Sequence, residues 1–212
     1  LIKKLRLPVD GKCRSGIASE RVEKTDKGYK VHCFDYSNDE PITVLCSELV
    51  MATPKFVNQY LLMGHKKYKD VPEYAPWVVA TLIIKPDKGS GDVLAWGNNN
   101  YLGQGLGYIY DQHQTRGEGS LRDVITYYWP LSELSPRKAR KWMRDRSRRD
   151  WNEDILKDLE TMHHGITERV ERIDIHLWGH GMVSPVVGSL WSGAREIDNE
   201  STDGIHFAHS DM

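Results

Sequence analysis

Histidine titrates near neutral pH in its ordinary state, so the five residues Trp178-Gly179-His180-Gly181-Met182 are the first place to look for proton transfer. His176 lies four residues before His180, and His163 and His164 are adjacent, spacings that can serve a metal. There is no H-E-x-x-H and no acidic cluster nearby, so packing or hydrogen bonding is the better reading and no metal is assigned. A second chemical stretch is Trp96-Gly97-Asn98-Asn99-Asn100-Tyr101. Its amides and ring could line a polar patch of a substrate cavity. Gly97-Asn98 is equally good turn chemistry, and both readings stand. Tyr108, His113 and Trp129 fall on predicted strands, where core is the commoner fate. Gly103-Gln104-Gly105-Leu106-Gly107 imitates a phosphate-binding loop, but strand-like Tyr108-Ile109-Tyr110 follows where a helix is required, so a hairpin joint is expected. No nucleophile elbow is present.

The elements that must carry these residues read as strands first and helices late. Ile17–Glu23, Tyr29–Phe34, Ile42–Leu45 and Leu49–Thr53 are short β-branched runs between polar turns, which predicts a meander. Pro54 interrupts it, and residues 55–63 read as a short helix. Trp77–Lys85 is almost wholly apolar, which predicts a strand buried on both faces. Asp92–Trp96, Leu106–Asp111 and Asp123–Trp129 follow as antiparallel strands. Ser135-Pro136 opens a helix running to about Arg148, and Trp151–Met162 forms a second. Val170–Trp178 returns to strand, residues 179–204 are irregular, and Ile205–Ala208 is a last strand. This order predicts an α+β fold: a mixed, largely antiparallel sheet with helices packed on one side.

Bulk properties exclude several classes. At about 150 residues per domain, 212 residues make one to two domains. A net charge of −1 gives no overall field to draw in nucleic acid or acidic lipid, and no apolar run reaches membrane-spanning length. Cys13, Cys33 and Cys46 form no C-x-x-C pair, so neither a disulfide framework nor a zinc site is expected. Arg137, Lys138, Arg140, Lys141, Arg144, Arg146, Arg148 and Arg149 make a basic helical stretch, interleaved with Trp142 and Trp151, that could grip an anionic partner. Asp145, Asp150, Glu153 and Asp154 are close enough to neutralise it, which favours a solvated face.

Three segments together resemble the flavin-dependent amine oxidases. Leu49-Val50-Met51-Ala52-Thr53-Pro54 resembles the strand with which the flavin domain hands the chain to the substrate domain. Pro76-Trp77 with its apolar strand, then Trp96-Gly97-Asn98 and Leu106-Gly107-Tyr108, resembles a bacterial branch of the family. Trp178-Gly179-His180-Gly181-Met182, Pro185, Gly188 and then Ile205-His206-Phe207-Ala208-His209-Ser210-Asp211 resemble its closing segment, in which a tryptophan-led loop lies over the flavin and an acidic turn holds the ribityl and pyrophosphate region.

The resemblance implies FAD as cofactor and hydride removal from a C–N or C–C bond of a small-molecule substrate. It implies Trp178, Gly179, Met182, Ser210 and Asp211 as cofactor contacts, His180 as the residue near the reacting atoms, and Trp96, Asn98, Asn100, Tyr101 and Tyr108 as substrate contacts. Residues 1–53 would be edge strands of the flavin domain, 54–200 the substrate-binding domain, and 201–212 a return to the flavin domain. The dinucleotide fingerprint G-x-G-x-x-G is absent, so an N-terminal FAD-binding segment of the same protein is the implied partner, and the chain alone is expected neither to retain FAD nor to turn over. The lysine many amine oxidases carry on the buried strand is replaced here by Ala80 or Thr81. The contrasting reading is a non-catalytic α+β module using the basic helix, residues 137–149, on an anionic partner. Oligomeric state stays open, as does compartment: a chain opening at Leu1 could have lost an export leader.

Overall fold

Alternating inward residues build the first sheet. Val22 on β1 (Ile17–Thr25) and Tyr29, Val31 and Cys33 on β2 (Gly28–Asp35) are buried, and β3 (Glu40–Cys46) completes an antiparallel meander in the order β1-β2-β3. The computed structural model describes residues 13–62, 71–86, 95–111, 122–191, 193, 200–201 and 203–209. The chain divides into two compact units, one of residues 1–72 with 185–212 and the other of residues 73–184.

In the first unit β4 (Leu49–Met51) leaves the meander. It pairs in parallel with β10 (Ile205–Phe207), placing Leu49 opposite Ile205 and Met51 opposite Phe207. Pro54 then precedes α1 (Lys55–Leu61). Buried Asn58 ties that helix back: its Nδ2 donates to the Thr53 carbonyl at 2.9 Å, and the Thr53 hydroxyl donates to its Oδ1. Met51, Leu61, Leu62 and Ile205 share a core with the meander's inward residues.

The second unit is a five-stranded antiparallel sheet in the order β6-β7-β8-β5-β9, made of β5 (Tyr74–Ile84), β6 (Gly97–Asn99), β7 (Gly107–Tyr110), β8 (Asp123–Pro130) and β9 (Val170–Val183). The expected strand at Asp92–Trp96 falls largely outside the described residues, and Trp96 itself precedes β6. Two helices, α2 (Pro136–Asp145) and α3 (Arg148–Met162), pack on one face. Ala139, Met143, Trp151, Ile155 and Leu159 meet Val78, Ala80, Leu82 and Ile84 of β5, Ile125, Tyr127 and Trp129 of β8, and Tyr108 of β7. The architecture is the α+β class expected, with largely antiparallel sheets and helices on one side.

Local chemistry explains the helix starts. Pro136 occupies the first turn of α2, where its missing N–H costs nothing, although Ser135 makes no side-chain cap bond. Ser147 and Asp150 form a reciprocal capping box that starts α3 three residues before the expected Trp151. The central strand β5 departs from expectation. From Pro76 onward only its even positions are deeply buried; Trp77, Val79, Thr81 and Ile83 alternate with them and remain half-buried on a face that neither helix covers.

Candidate functional site

The face of this sheet that neither α2 nor α3 covers carries a dense set of chemically capable side chains among the described residues. Directly opposed residues of an antiparallel pair share a face. The registers therefore group Trp77, Val79 and Thr81 of β5 with Tyr128 and Thr126 of β8, Ile109 of β7, and Trp178, His176 and Asp174 of β9. The rings of Trp77 and Tyr128 are 6.4 Å apart. The Thr126 hydroxyl donates to Asp111 Oδ2 at 2.6 Å, which brings a carboxylate onto the same face. Partial burial first, and the Asp111 charge second, raise the Tyr128 phenol above its ordinary value of 10.0.

Trp178 stands on an edge strand, not a loop. β9 continues to Val183, with Trp178 opposite Trp77 and Met182 opposite Ala75. Between those pairs β9 has three residues where β5 has one, a bulge that re-aims the side chains within it. A Cβ on Gly181 would lie 2.7 Å from the Trp77 ring, so only glycine lets that indole lie flat on the strand. Trp178 and Met182 are exposed.

His180, inside the bulge, turns to Tyr74, with ring centroids 6.1 Å apart in edge geometry. Arg140 of α2 donates from Nη1 to the carbonyls of Tyr74 at 3.1 Å and Gly179 at 3.3 Å. Desolvation of the ring and then the Arg140 charge hold His180 below its ordinary 6.5. Its imidazole is therefore neutral at neutral pH and able to accept a proton.

The second group of sequence candidates lies elsewhere. β6 is four strands from β9, about 19 Å at the usual spacing of about 4.8 Å per strand. Trp96, Asn98, Asn100 and Tyr101 therefore do not face Trp178 across a small substrate, contrary to the arrangement expected. Asn98 donates to the Ala95 carbonyl at 2.8 Å. Asn100 accepts from the amides of Leu102 and Gly103 and donates to the Asp158 carbonyl and the Thr161 hydroxyl. Gly97–Asn99 is strand β6 rather than the turn that was the alternative reading, and Asn100 organises the bends that follow it. Trp96 and Tyr101 are exposed.

Tyr108 is fully buried on the helix-covered face, where its hydroxyl shares a 2.6 Å hydrogen bond with His163 Nε2 and burial pushes the phenol up to about 12. Its place is the core rather than the open face, because the register of β7 with β8 sets it beside Tyr127. Ser210 and Asp211 lie outside the described residues.

The glycine-rich joint does hold an anion, and the anion is internal. Buried Asp158 of α3 accepts from Gln104 N at 2.8 Å, Gly105 N at 2.9 Å and the Tyr127 hydroxyl at 2.6 Å. A Cβ on Gly105 would overlap that hydroxyl. The basic stretch is similarly engaged from within. Arg146 pairs with Asp154 and lies 4.6 and 4.8 Å over the rings of Trp142 and Trp151. Arg148 donates to the Ile173 carbonyl at 3.1 Å, and Arg149 pairs with Glu153 at 2.7 Å.

Asp111 and Tyr128 were not singled out from the sequence, and Trp77 was noted only as part of a motif. Period-two alternation along Asp123–Trp129 could have placed Tyr128 opposite the buried set, but its alignment with Trp77 needs the strand register.

No family model matches the sequence, and no curated protein matches it by sequence. Solved structures do match the fold. A putrescine oxidase bound to putrescine superposes with a TM-score of 0.61 at 14% identity, over 92% of this chain and 43% of that one. A double mutant of putrescine oxidase gives 0.59 at 15% identity, over 92% and 43%. Cyclohexylamine oxidase from Brevibacterium oxydans gives 0.50 at 12% identity, over 92% and 42%. The chain thus spans less than half the length of these amine oxidases and shares the fold of that part. No helix among the described residues is long and apolar enough to cross a membrane.

Proposed function

We propose that the chain is the substrate-side portion of an FAD-dependent oxidoreductase resembling amine oxidases. One observation carries the reading: Leu49–Met51 and Ile205–Phe207, about 150 residues apart, lie side by side as parallel strands. These are the two segments that resemble the hand-over from the flavin domain and the return to it. The fold likeness to part of two amine oxidases supports the same reading. Residues 1–53 and 201–212 are then edge pieces of the flavin domain, and 54–200 the substrate-binding domain. The partner this requires is the N-terminal FAD-binding segment of the same protein.

The residues present suit a flat redox ring. Exposed Trp178 opposite Trp77, whose indole lies on Gly181, makes an apolar aromatic wall. Trp178, Gly179 and Met182 would lie against the flavin, with Ser210 and Asp211 as further contacts. Bound FAD would supply the hydride acceptor for oxidation of a C–N or C–C bond. The chain's own part is positional. The aromatic wall excludes water and orients the substrate's apolar body. Neutral His180 accepts a proton or a hydrogen bond, with Tyr74 packed against its ring and Arg140 holding the backbone on either side.

The test is the colour of the protein expressed from its complete gene. Flavin absorbance retained through desalting and released on denaturation is the expected result. A colourless protein that takes up no added FAD refutes the proposal. Retention on heparin that falls steeply with salt, and falls further with Arg144→Glu and Arg148→Glu, would instead revive the binding-module reading.

A further inference from the structure

Five cations stand on α2, and one of them is not on the surface. Arg137, Lys138, Lys141 and Arg144 are exposed, whereas Arg140 is half-buried. Among the described residues its guanidinium meets backbone rather than a carboxylate. Nη1 donates to the Tyr74 carbonyl at the start of β5 at 3.1 Å and to the Gly179 carbonyl of β9 at 3.3 Å. One nitrogen of a helix side chain thus joins two neighbouring strands. The junction is the bulge, where Gly179, His180 and Gly181 of β9 stand against a single residue of β5. A bulge breaks the ladder, so its backbone groups need partners from outside it. The stem of Arg140 runs past Gly179, where an added Cβ would stand 3.7 Å from Cδ. The support is firm, because buried Ala139 and Met143 pack α2 into the core of the sheet.

We propose that Arg140 is a positioning residue of the candidate site: by tying Tyr74 and Gly179 to α2 it sets the shape of the β9 bulge, and with it the direction in which His180 points. The two tethered residues are the aromatic neighbour of His180 and the residue that precedes it in the chain. The clamp therefore holds both sides of the edge contact between the Tyr74 and His180 rings, 6.1 Å apart. Among the described residues the titratable groups that face His180 are Tyr74 from β5 and Arg140 from α2. A fixed positive charge beside the imidazole also favours its neutral form, adding to the desolvation of the ring. What His180 does in turnover rests on the oxidoreductase reading; how Arg140 holds it does not.

The experiment uses the full chain, isotope-labelled, and follows the His180 ring protons and the Gly179 and Gly181 amides against pH. Arg140→Gln removes the charge and shortens the reach. It is expected to displace both amide resonances and to raise the pH at which His180 titrates. Arg140→Lys keeps the charge and should hold the titration closer to that of the unaltered chain. Lys141→Gln, an equal loss of charge one residue on, should move neither. Amides that stay in place in Arg140→Gln, a His180 titration that does not rise, an equal rise in Lys141→Gln, or a lysine no better than glutamine overturns the clamp. If Arg140→Gln fails to fold, Arg140→Lys decides through the two amides: displaced supports the clamp, and unmoved refutes it. In the protein of the complete gene, Arg140→Gln should lower kcat for amine oxidation about tenfold with KM little changed, and its acid limb should move to higher pH. A kcat and acid limb that both ignore the substitution overturn the positioning role. FAD uptake is read separately. A flavoprotein whose His180 titration ignores Arg140 sinks the clamp alone, and a moved titration without flavin sinks the oxidoreductase reading and leaves the clamp.

Discussion

Removing the Asp158 carboxylate should cost the second unit more than any other single polar change described here. Asp158→Ala strips the acceptor from three donors at once: the amides of Gln104 and Gly105 and the hydroxyl of Tyr127. Tyr127 is fully buried and Gly105 is buried, so water replaces the carboxylate poorly. Each bond to a charged group contributes about 1.5–3 kcal/mol, and a buried donor left unpaired costs about 1–3 kcal/mol. These figures overlap and are not additive, so a total near 4 kcal/mol is expected. Tyr127→Phe removes one donor and leaves the two amides on the carboxylate, so a loss of about 1–2 kcal/mol is expected. Urea denaturation followed by tryptophan fluorescence suits the measurement, because Trp129, Trp142 and Trp151 form a mutual edge-to-face cluster in the same unit. The double variant should cost less than the sum of the singles, with a coupling of about 1 kcal/mol. An Asp158→Ala chain within about 0.5 kcal/mol of the unaltered one would refute the anchoring of the glycine joint.

Gly181→Ala drives a methyl into the Trp77 ring and should cost about 1–3 kcal/mol with an altered near-ultraviolet dichroism; an unchanged spectrum would contradict the flat packing. Ser147→Ala removes the reciprocal cap of α3 and should lower stability by about 1 kcal/mol in the same urea experiment, whereas Ser135→Ala, at a position with no cap bond, should change little. The Thr167 hydroxyl, then the amides of Gly165 and Thr167, bring the Glu160 carboxyl from 4.5 down to about 2. A carboxyl lowered on folding stabilises above its unfolded value, so this contribution should be whole above about 4.5 and vanish as pH falls toward about 2. Glu160→Gln should flatten stability over that window, and an acid limb of undiminished slope would count against it.

Much of the fold was legible because it is local. Hairpin partners close in sequence, such as β1 with β2, are announced by Lys27-Gly28 and by alternation on each side. The helix starting at Ser135-Pro136 likewise follows from cap and proline chemistry. What stayed hidden is what depends on distant pairing. The meander was expected to absorb Leu49–Thr53, yet β4 takes a parallel partner from near the other end of the chain. The apolar run at Trp77–Lys85 signalled a buried strand, but only the helices decide which of its faces is covered. Glycines at 179 and 181 suggested a loop after Trp178. They serve instead a bulge in a continuing strand, and that bulge aims His180 at Tyr74.

The candidate site was legible in part for the same reason. Asn98 and Asn100 carried both a turn and a cavity reading; pairing with β7 put Asn98 in a strand, and hydrogen bonding put Asn100 in the bends after it. Tyr108 looked equivalent to Tyr128 in sequence, as an aromatic on an antiparallel strand. Register buried one beneath α3 and left the other facing outward beside Asp111. A one-residue slip would have exchanged them.

The most direct measurement is to mix the protein of the complete gene with a primary amine in the absence of oxygen and follow its visible spectrum. The account predicts that bound flavin loses its visible absorbance as the amine is oxidised and regains it when an electron acceptor is supplied. A flavin spectrum that no amine bleaches, or a protein with no such spectrum at all, would contradict it.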